Sequence, residues 1–515
     1  MKVLLVAPPI MDYMEGRLVP IAMDAHRTCP PYGMYLLAST LRAAGHEVAL
    51  ADLIAEGTNS IGDHATTLGD FQLVGIGCTS MSWPTARDVI RQIRAVSDVP
   101  IVLGGIHPTM FDRYILSVFP VDYVIRGEGE LALNALVDAL EHHRPLHEVP
   151  NLSWCTEDGA VVRNPIHGKI AKEELPSFPL PNYADLPDQI YHGLAIESSR
   201  GCVFDCSFCS TSYRTTWRGM EGGAFVDRLE AILPHADRTL QKNIQIIDDE
   251  FSMNPARAIE IVRAMKIRKL EPKLVFDSRA NDLLFPGYVE TIAPYTSQFL
   301  VGAECGYDEG LKRIGKGTTC EKLEKSAEML KTHGIADRAD YSFIVGLPWE
   351  TKAQAEQTVD FALALHGKYG VRILLQWYCQ IPGSRLWDRD YKEQIVNEAM
   401  YNDYGFFRDL YLFRSAVKLT PDEIYEIGNK LAPIQAIARA VHDGRSMIEH
   451  SFPMPIAQYY PPITRAQTDT GLQSLREVAQ TKRWRSEGAV ASRERMLATP
   501  IPPGIPLRHF EGVNV

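Results

Sequence analysis

Hydrophobic residues recur along the first 145 positions in two alternating patterns. Short apolar runs, typical of buried strands, occur at 3–6, 47–51, 73–77, 101–103 and 123–125. Longer amphipathic stretches, typical of helices, lie between them at 33–44, 83–96, shortly after Pro108, and at 130–142. Strand and helix alternating at this spacing predict βαβ units and therefore a Rossmann-like, doubly wound parallel sheet in an α/β domain over 1–145.

The same alternation returns after a proline-rich stretch. Residues 146–190, with a predicted hairpin around 157–159, are interpreted as a linker. Six further strand-like runs follow at 194–197, 244–247, 274–276, 299–302, 341–345 and 373–377. Six βα units predict a partial (β/α)6 barrel of TIM type over 191–385, rather than a closed eight-stranded barrel. Residues 386–515 are predicted to be mainly helical, with a proline-rich tail.

The loops after the strands of the first sheet are rich in glycine and small hydroxyl residues. Such loops gather at the carboxyl edge, where open α/β sheets bind ligands. Glycine lets the backbone approach a large, flat or polyanionic ligand closely. The candidate ligand-contacting residues are Pro8, Thr79, Ser80, Met81, Ser82, Trp83, Gly104, Gly105, His107, Pro108, Gly127, Glu128 and Gly129.

Three cysteines carry the most specific chemical signal in the chain. Cys202, Cys206 and Cys209 have the spacing C-x3-C-x2-C and follow the predicted strand at 194–197. Three thiolates can hold three irons of a [4Fe–4S] cluster and leave the fourth iron open to a small molecule, whereas a closed cluster uses four cysteines. The residues alone leave two alternatives, a loop with incidental buried thiols and a zinc site without its fourth ligand.

Composition and charge mainly exclude certain classes of protein and partner. The chain has 515 residues, 45% of them hydrophobic and 23% charged, and a formal net charge of −11, which argues against nucleic acid as the main partner. It contains no apolar run long enough to span a bilayer. Nine cysteines in a chain of this length do not form a disulfide framework. We therefore expect a cytoplasmic protein without a membrane partner, whose thiols are free to bind metal.

The cysteine motif, the strand before it and the βα units after it resemble the radical S-adenosylmethionine (SAM) superfamily. In that family SAM binds the open iron, and one electron from the cluster cleaves it to methionine and a 5′-deoxyadenosyl radical. The resemblance implies an external electron donor of the flavodoxin or ferredoxin type. It also implies SAM contacts, in the cysteine loop or near the predicted strand ends, by Phe208, Asp248, Asp249, Glu250, Ser278, Arg279, Glu304 and Gly346.

Residues 1–145 resemble the cobalamin-binding domain of one radical SAM subfamily, through the segments 30–33, 104–109 and 127–130. The sequence lacks the Asp-x-His-x-x-Gly motif of better-known cobalamin domains, so the resemblance implies base-off cobalt without a protein imidazole. The loop 80–83 is then expected at the lower face of the corrin, with Met81 or Trp83 nearest to the cobalt. His107 is the alternative cobalt ligand.

The combined resemblance implies a cobalamin-dependent radical SAM methyltransferase. Its expected substrate is an unactivated carbon, or a phosphinate phosphorus, of a small-molecule natural-product intermediate, methylated with SAM and methylcobalamin. One alternative is a cobalamin-dependent radical SAM oxidoreductase or cyclase that transfers no methyl group. A second is a non-catalytic metal-binding or sensor protein. No catalytic acid or base, substrate or oligomeric state follows from the sequence.

One further pattern is a poor match to a known motif. Residues 310–317 nearly fit a Walker A loop, but Gly317 replaces the Ser or Thr that would hold Mg²⁺. The pattern is also expected to open a helix without a preceding strand, so we predict no nucleoside triphosphate site there. Cys305, Cys320 and Cys379 are isolated in the sequence and are interpreted as buried thiols.

Overall fold

The structure is a computed structural model that describes most of the first 402 residues. The described residues are 1–14, 17–20, 29–156, 158–166, 169–211, 213–379, 381–393 and 396–402, with 418, 419, 423, 426 and 427 beyond them. Within this part, one compact unit comprises 1–191 with 397–402, and a second comprises 192–396. Most of the predicted helical C-terminal region and its proline-rich tail lie outside the described residues.

The first unit is built on a seven-stranded sheet. The strands of this unit, inside and outside that sheet, are β1 Lys2–Ala7, β2 Met11–Met14, β3 Arg17–Pro20, β4 Glu47–Asp52, β5 Leu73–Gly77, β6 Ile101–Gly104, β7 Tyr123–Ile125, β8 Leu152–Cys155 and β9 Val161–Arg163. The sheet order is β4-β1-β5-β6-β7-β8-β9, and the first five strands are parallel. Strands β2 and β3 form a separate hairpin. The predicted doubly wound sheet is confirmed.

Helices cover the sheet because each carries one apolar face. They are α1 Tyr32–Ala43, α2 Leu53–Glu56, α3 Trp83–Arg94, α4 Ile106–Val118 and α5 Glu130–Glu141. Strand β1 is buried from Val3 to Ala7, as expected for a strand with parallel neighbours on both sides and helices on both faces. It lies between β4 and β5, so the connections diverge there. The carboxyl ends of β1 and β5 form the topological switch point at which such sheets bind ligands.

The segment 146–190 belongs to the first unit and completes its sheet. The predicted hairpin is present as β8 and β9, and β8 pairs antiparallel with β7. Leu152 is fully buried, and Ser153 donates a hydrogen bond of 2.6 Å to Asp112 Oδ2. This part of the predicted linker is therefore held by core packing and strand pairing, two contacts that its high proline content did not indicate.

The second unit contains a six-stranded parallel sheet. The strands of this unit, inside and outside that sheet, are β10 Gly193–Ile196, β11 Ser199–Arg200, β12 Arg218–Gly219, β13 Asn243–Ile246, β14 Lys273–Ser278, β15 Thr296–Glu304, β16 Ala339–Val345 and β17 Arg372–Trp377. The order β10-β13-β14-β15-β16-β17 follows the chain, as in a partial barrel, and confirms the prediction. The short strands β11 and β12 pair with each other.

Helices follow the strands of this second sheet. They are α6 Gly222–Ile232, α7 Pro255–Ile267, α8 Ala280–Leu283, α9 Tyr288–Ile292, α10 Asp308–Ile314, α11 Cys320–Thr332, α12 Lys352–Tyr369 and α13 Arg385–Lys392. Of the helices in the described part of the chain, none is both long enough and apolar enough to span a membrane.

Candidate functional site

The three cysteines lie on the loop between β11 and β12, just beyond the carboxyl end of β10. Gly201 opens this loop with a φ of +84°, and a Cβ there would stand 2.2 Å from the carbonyl oxygen of Thr216. Only glycine fits a backbone in this conformation and this close to another chain segment. The glycine before Cys202 therefore shapes the path of the cysteine loop.

Two adjacent aspartates fasten this region of the chain. Asp249 accepts a hydrogen bond of 2.9 Å from the Gly201 N–H and another from the Thr211 hydroxyl, so it joins the two ends of the cysteine loop. Asp248 is buried and accepts four hydrogen bonds, from the backbone N–H and hydroxyl groups of Ser198 and Ser199, at 2.5–2.9 Å. Both of its carboxylate oxygens are thus used to hold the strand end.

The cysteine sulfurs lie among backbone dipoles and basic side chains. The Thr211 N–H donates to Cys209 Sγ at 3.5 Å, and Cys206 Sγ lies 3.8 Å from the carbonyl oxygen of Gly315. Burial raises the pKa of all three thiols, that of Cys202 to about 11, while the positive charge of Lys316 acts to lower the pKa of Cys206. Cluster binding must therefore be accompanied by proton release.

The donor set fits a [4Fe–4S] cluster. The three thiols lie within the eight residues from Cys202 to Cys209, and an N–H donor to one sulfur is the kind of contact that tunes such clusters. Each thiolate of a [4Fe–4S] cluster binds a different iron, so the ligands need not converge on one point. Across the described residues, no three His, Cys, Asp or Glu side chains are grouped to hold a single metal ion.

A buried hydroxyl connects the loops after β13 and β14. Ser252 Oγ lies 2.5 Å from Glu250 Oε1 and 2.9 Å from Asp282 Oδ2, and it accepts a 3.0 Å hydrogen bond from the Ser278 hydroxyl. Burial raises the pKa of Glu250 to about 8, although its hydrogen bond from Ser252 acts in the opposite direction. Glu250 and Ser278 are thereby brought into one network, as their positions at neighbouring strand ends predict.

An ion pair closes the end of β15. Glu304 has a φ of +67° at a register shift in the strand, and its Oε1 lies 2.7 Å from Nζ of Lys316. The side chains of both residues are about nine-tenths buried, with 9% and 12% exposed. The carbonyl oxygen of Lys316 accepts a hydrogen bond from Arg279, whose guanidinium lies over the ring of Phe204.

A second buried acid organises the turn after β16. Glu350 Oε2 accepts hydrogen bonds from the N–H groups of Gly346, at 2.6 Å, and Leu347, at 3.0 Å, while Oε1 accepts one of 3.0 Å from the Tyr307 hydroxyl. Gly346 adopts a φ of +80°. Burial raises the pKa of Glu350 to about 7. The predicted SAM-contacting turn therefore has its amide groups fixed by an acid four residues further on.

The cysteine loop also packs against two later segments. The Ser207 N–H donates to the Ile314 carbonyl at 2.8 Å, and the Ser207 carbonyl accepts from the Leu386 N–H at 3.0 Å. Phe208 is half-buried beside them. The Walker-like segment was expected to open a helix, and this expectation is wrong: α10 ends at Ile314 and the left-handed Gly315 terminates it. Cys305 and Cys379 are buried, whereas Cys320 is only half-buried.

The carboxyl edge of the first sheet is formed mainly by backbone. Gly105 has a φ of +99°, and a Cβ there would stand 2.4 Å from the carbonyl oxygen of Cys78. The Thr109 hydroxyl donates to the Gly105 carbonyl at 2.7 Å and accepts from the Gly127 N–H at 2.9 Å. One threonine thus joins the loops after β6 and β7, and glycine brings the former against the loop after β5.

His107 lies in an aromatic cluster behind this edge. It is fully buried, stacks on Trp83 with ring centroids 4.8 Å apart, and contacts Phe111 edge-on at 4.7 Å. Its Nδ1 lies 3.0 Å from Ser80 Oγ, and Nε2 has no hydrogen-bond partner among the described residues. Burial lowers its pKa well below the ordinary value, so His107 is neutral at physiological pH.

The other candidates at this edge take varied positions. Trp83 is fully buried and donates a hydrogen bond of 2.8 Å to Asn402 Oδ1, whereas Met81 is half-buried. Thr79 and Ser82 bond each other's backbone N–H groups at the start of α3. Glu128 Oε2 accepts a hydrogen bond of 2.7 Å from the Ile170 N–H. The remaining candidates divide by exposure: Pro8 and Pro108 are buried, Gly104, Gly127 and Gly129 are half-buried.

Comparison with known proteins identifies the family. Residues 19–137 match the B12 binding domain, and residues 196–362 match the radical SAM superfamily. An uncharacterized methyltransferase of Pyrococcus horikoshii is 32% identical over 405 residues, which are 75% of this chain and 83% of that protein. The chain belongs to the cobalamin-binding radical SAM family. It is a cobalamin-dependent radical SAM enzyme, and its cofactors are cobalamin, a [4Fe–4S] cluster and SAM.

Two further proteins, one similar to this radical SAM enzyme in sequence and one in fold, carry different named activities. The anaerobic magnesium-protoporphyrin IX monomethyl ester cyclase of Rubrivivax gelatinosus is 27% identical over 73% of the chain and 65% of that protein. The structure of the radical SAM methyltransferase TsrM from Kitasatospora setae, with cobalamin and a [4Fe–4S] cluster bound, superposes with a TM-score of 0.64. It is 19% identical over 96% of this chain and 99% of that chain, a likeness of fold.

Several side chains of this enzyme's site escape sequence reasoning. Lys316 lies within the Walker-like segment, but the sequence does not predict its contact with Glu304. Ser252 and Glu350 carry no sequence signal, because serines and glutamates after strands are common. Their importance comes from burial and from the number of loop donors that they bind.

Proposed function

We propose that this cobalamin-dependent radical SAM enzyme is a methyltransferase acting on an unactivated carbon, or a phosphinate phosphorus, of a small-molecule intermediate. The observation that carries the proposal is the 32% identity, over three quarters of the chain, to a protein named as a methyltransferase. The cyclase of Rubrivivax gelatinosus favours a second candidate function, oxidation or ring formation without methyl transfer. Its identity is lower, at 27%.

The proposed cluster ligands are Cys202, Cys206 and Cys209. The contacts of Asp249 with both ends of their loop support this assignment, because a cluster needs three thiolates held at fixed separation. When bound, the cluster and SAM supply one-electron cleavage of a carbon–sulfur bond, and cobalamin supplies a transferable methyl group. The protein's contribution is to hold these groups and exclude competing reactions.

The proposed SAM contacts form the carboxyl edge of the second sheet. Arg279 and Glu304 offer a cation and an anion for the carboxylate and amine of an amino acid, and the half-buried Phe208 offers an apolar surface. Asp249, Glu250, Ser278 and Gly346 stay in this proposed set. Because the Asp248 oxygens already accept four hydrogen bonds, we assign Asp248 to holding the loop rather than to SAM.

The proposed cobalamin contacts are the backbone of the glycine-rich loops and the segment from Thr79 to Met81. Gly105 supports this view because a side chain there would push apart the loops after β5 and β6. His107 and Trp83 lie behind this surface in the aromatic cluster, so we infer that they support the loop and that the protein supplies no imidazole to cobalt. A flavodoxin- or ferredoxin-type electron donor and a cytoplasmic location complete the proposal.

Isotope labelling tests the proposed methyl transfer. The reconstituted enzyme, kept anaerobic, is given SAM with a CD3 group, a low-potential reductant and a pool of candidate small molecules. The expected result is a product in which a CD3 group replaces one hydrogen of the precursor, so that three deuteriums stand where the product made with unlabelled SAM has three hydrogens, accompanied by 5′-deoxyadenosine. An unmethylated but oxidised or cyclised product, with 5′-deoxyadenosine present, would favour the second candidate function.

A further inference from the structure

The Lys316 side chain is a buried cation beside the proposed cluster loop. Its ammonium contacts Glu304 at 2.7 Å, and only 12% of the side chain is exposed. The segment that carries it runs along the cysteine loop, since the Ile314 carbonyl accepts from the Ser207 N–H at 2.8 Å and the Gly315 carbonyl lies 3.8 Å from Cys206 Sγ. Lys316 therefore follows directly after two residues that touch the loop.

The surrounding chain is shaped around this ammonium. A Cβ on Gly302 would stand 2.4 Å from Lys316 Nζ and 2.6 Å from Glu304 Oε1, so glycine makes room for the ion pair. Glu304 itself adopts the left-handed region, an arrangement that costs free energy in a residue other than glycine. Burying a lysine is also costly unless its charge is compensated. These features indicate that the surrounding chain holds the Lys316 ammonium in a defined buried position, unlike a lysine on the surface.

The charges around Lys316 do not balance through Glu304 alone. Arg279 is also buried, and it donates to the Lys316 carbonyl, so two cations lie beside one contacting carboxylate. Asp277, Glu250 and Asp282 interact with Lys316 at longer range, and burial raises the pKa of each, that of Asp277 to about 7 and that of Glu250 to about 8. The raised pKa values favour the neutral forms of these acids, so the acids offset the positive charge only in part.

We propose that Lys316 is a positioning residue whose ammonium, held by Glu304, acts as the counter-charge of the cluster at Cys206 and raises its reduction potential. The inference rests on the proposed cluster ligands. A cluster held by three thiolates gains one unit of negative charge when it accepts one electron and no proton. A fixed cation nearby stabilises that form, and an anion nearby destabilises it. Removing Lys316 and removing Glu304 must therefore have opposite effects.

The test is a spectroscopic redox titration of the anaerobically reconstituted protein without SAM, with dithionite as reductant. Lys316→Gln is expected to lower the cluster potential by an amount equivalent to tenfold or more in the one-electron equilibrium, about 59 mV. Glu304→Gln is expected to raise it, and Lys316→Arg to stay close to the unmodified protein. Lys325→Gln, which removes an exposed lysine from an exposed pair with Glu321, is the matched control and should cause no shift.

Iron and sulfide content is measured on every variant. If the unmodified protein holds no cluster, the proposed ligand set fails. If clusters form but Lys316→Gln and Glu304→Gln shift the potential in the same direction or not at all, the role of Lys316 is overturned while the ligand set stands. If Lys316→Gln binds no iron, the reduction potential of Glu304→Gln decides the role of Lys316: a rise supports the proposal, and no rise overturns it.

Discussion

Each of the two sheets presents its candidate site at the carboxyl ends of its own parallel strands, but the two sites are built from different kinds of groups. The first edge relies mainly on backbone and neutral groups: the left-handed Gly105 packs against Cys78, Thr109 joins two loops, and burial of His107 favours its neutral form, while Glu128 holds the Ile170 N–H. The second edge is dense in buried charge, with Lys316 and Glu304 as its ion pair. The common topology places the loops, and the side chains at the strand ends decide the chemistry.

This difference matches the ligands of the family. A corrin is large, and much of its surface is approached best by a chain without protruding side chains. A cluster with thiolate ligands and the amino-acid part of SAM carry full charges, which a low-dielectric site holds only with fixed counter-charges. The comparison predicts that mutations at one edge leave ligand binding at the other edge largely unchanged.

The largest effect is expected from the cysteines. Replacing Cys202, Cys206 or Cys209 individually with alanine should abolish the cluster absorbance and SAM cleavage, because the remaining two thiolates cannot hold the cluster. Cobalamin retention, measured by its visible spectrum after desalting, should be preserved. A variant that keeps SAM cleavage near the original rate would show that its cysteine is not a ligand.

The reciprocal change is made at the first edge. Gly105→Ala places a Cβ 2.4 Å from the Cys78 carbonyl oxygen in a left-handed backbone, so the loop must move. We expect cobalamin affinity to fall roughly tenfold or more, while iron content stays unchanged. Gly69→Ala, where a Cβ meets nothing within 4 Å, is the control. Unchanged cobalamin affinity in Gly105→Ala would contradict a site formed by close backbone approach.

The two edges are also expected to respond to pH in opposite directions. Glu350 has its pKa raised from 4.5 to about 7 by burial, so the folded state binds its proton more tightly, and stability from this group is lost as pH rises from about 4.5 through 7. The full change in the free energy of unfolding from this group is about 3 kcal/mol. The buried His107 has its pKa lowered, so its contribution is lost as pH falls below 6.5.

Thermal unfolding measured against pH separates these contributions. Relative to the unmodified protein, Glu350→Gln should gain stability as pH rises between about 5 and 7, because the amide has no proton to lose. His107→Gln should gain stability as pH falls over the same range. If the stability of both variants, relative to the unmodified protein, changed with pH in the same direction, the result would contradict a raised pKa of Glu350 at one edge and a lowered pKa of His107 at the other.

The smallest effect is expected at the cobalt. His107 has no exposed surface and its Nδ1 lies beside Ser80, so the electron paramagnetic resonance spectrum of bound cob(II)alamin should lack nitrogen splitting from a protein ligand. His107→Gln should leave that spectrum unchanged and weaken binding only modestly. Nitrogen splitting that disappears in His107→Gln would identify this histidine as a cobalt ligand instead.

Local patterns suffice for the strands and the cysteine loop, because period and spacing are properties of neighbouring residues. They fail where distant residues decide the outcome. Trp83 could be placed at a helix start, but its burial depends partly on Asn402, far along the chain. The ion pair of Lys316 with Glu304 depends on a left-handed glutamate and on Gly302, and no local pattern predicts this combination. The hairpin of β8 and β9 was predicted, but the pairing of β8 with β7 was not, because the prolines of residues 146–190 indicated a linker.

The most direct test of the central claim needs no knowledge of the substrate. The enzyme is reconstituted anaerobically with iron, sulfide and cobalamin, then incubated with CD3-labelled SAM and a low-potential reductant. The account predicts that mass spectrometry detects 5′-deoxyadenosine together with a deuterium-labelled methyl group in the cobalamin fraction. When the cofactors are omitted, it predicts that neither labelled cobalamin nor 5′-deoxyadenosine forms. A protein that holds both cofactors but leaves SAM intact and cobalamin unlabelled would contradict it.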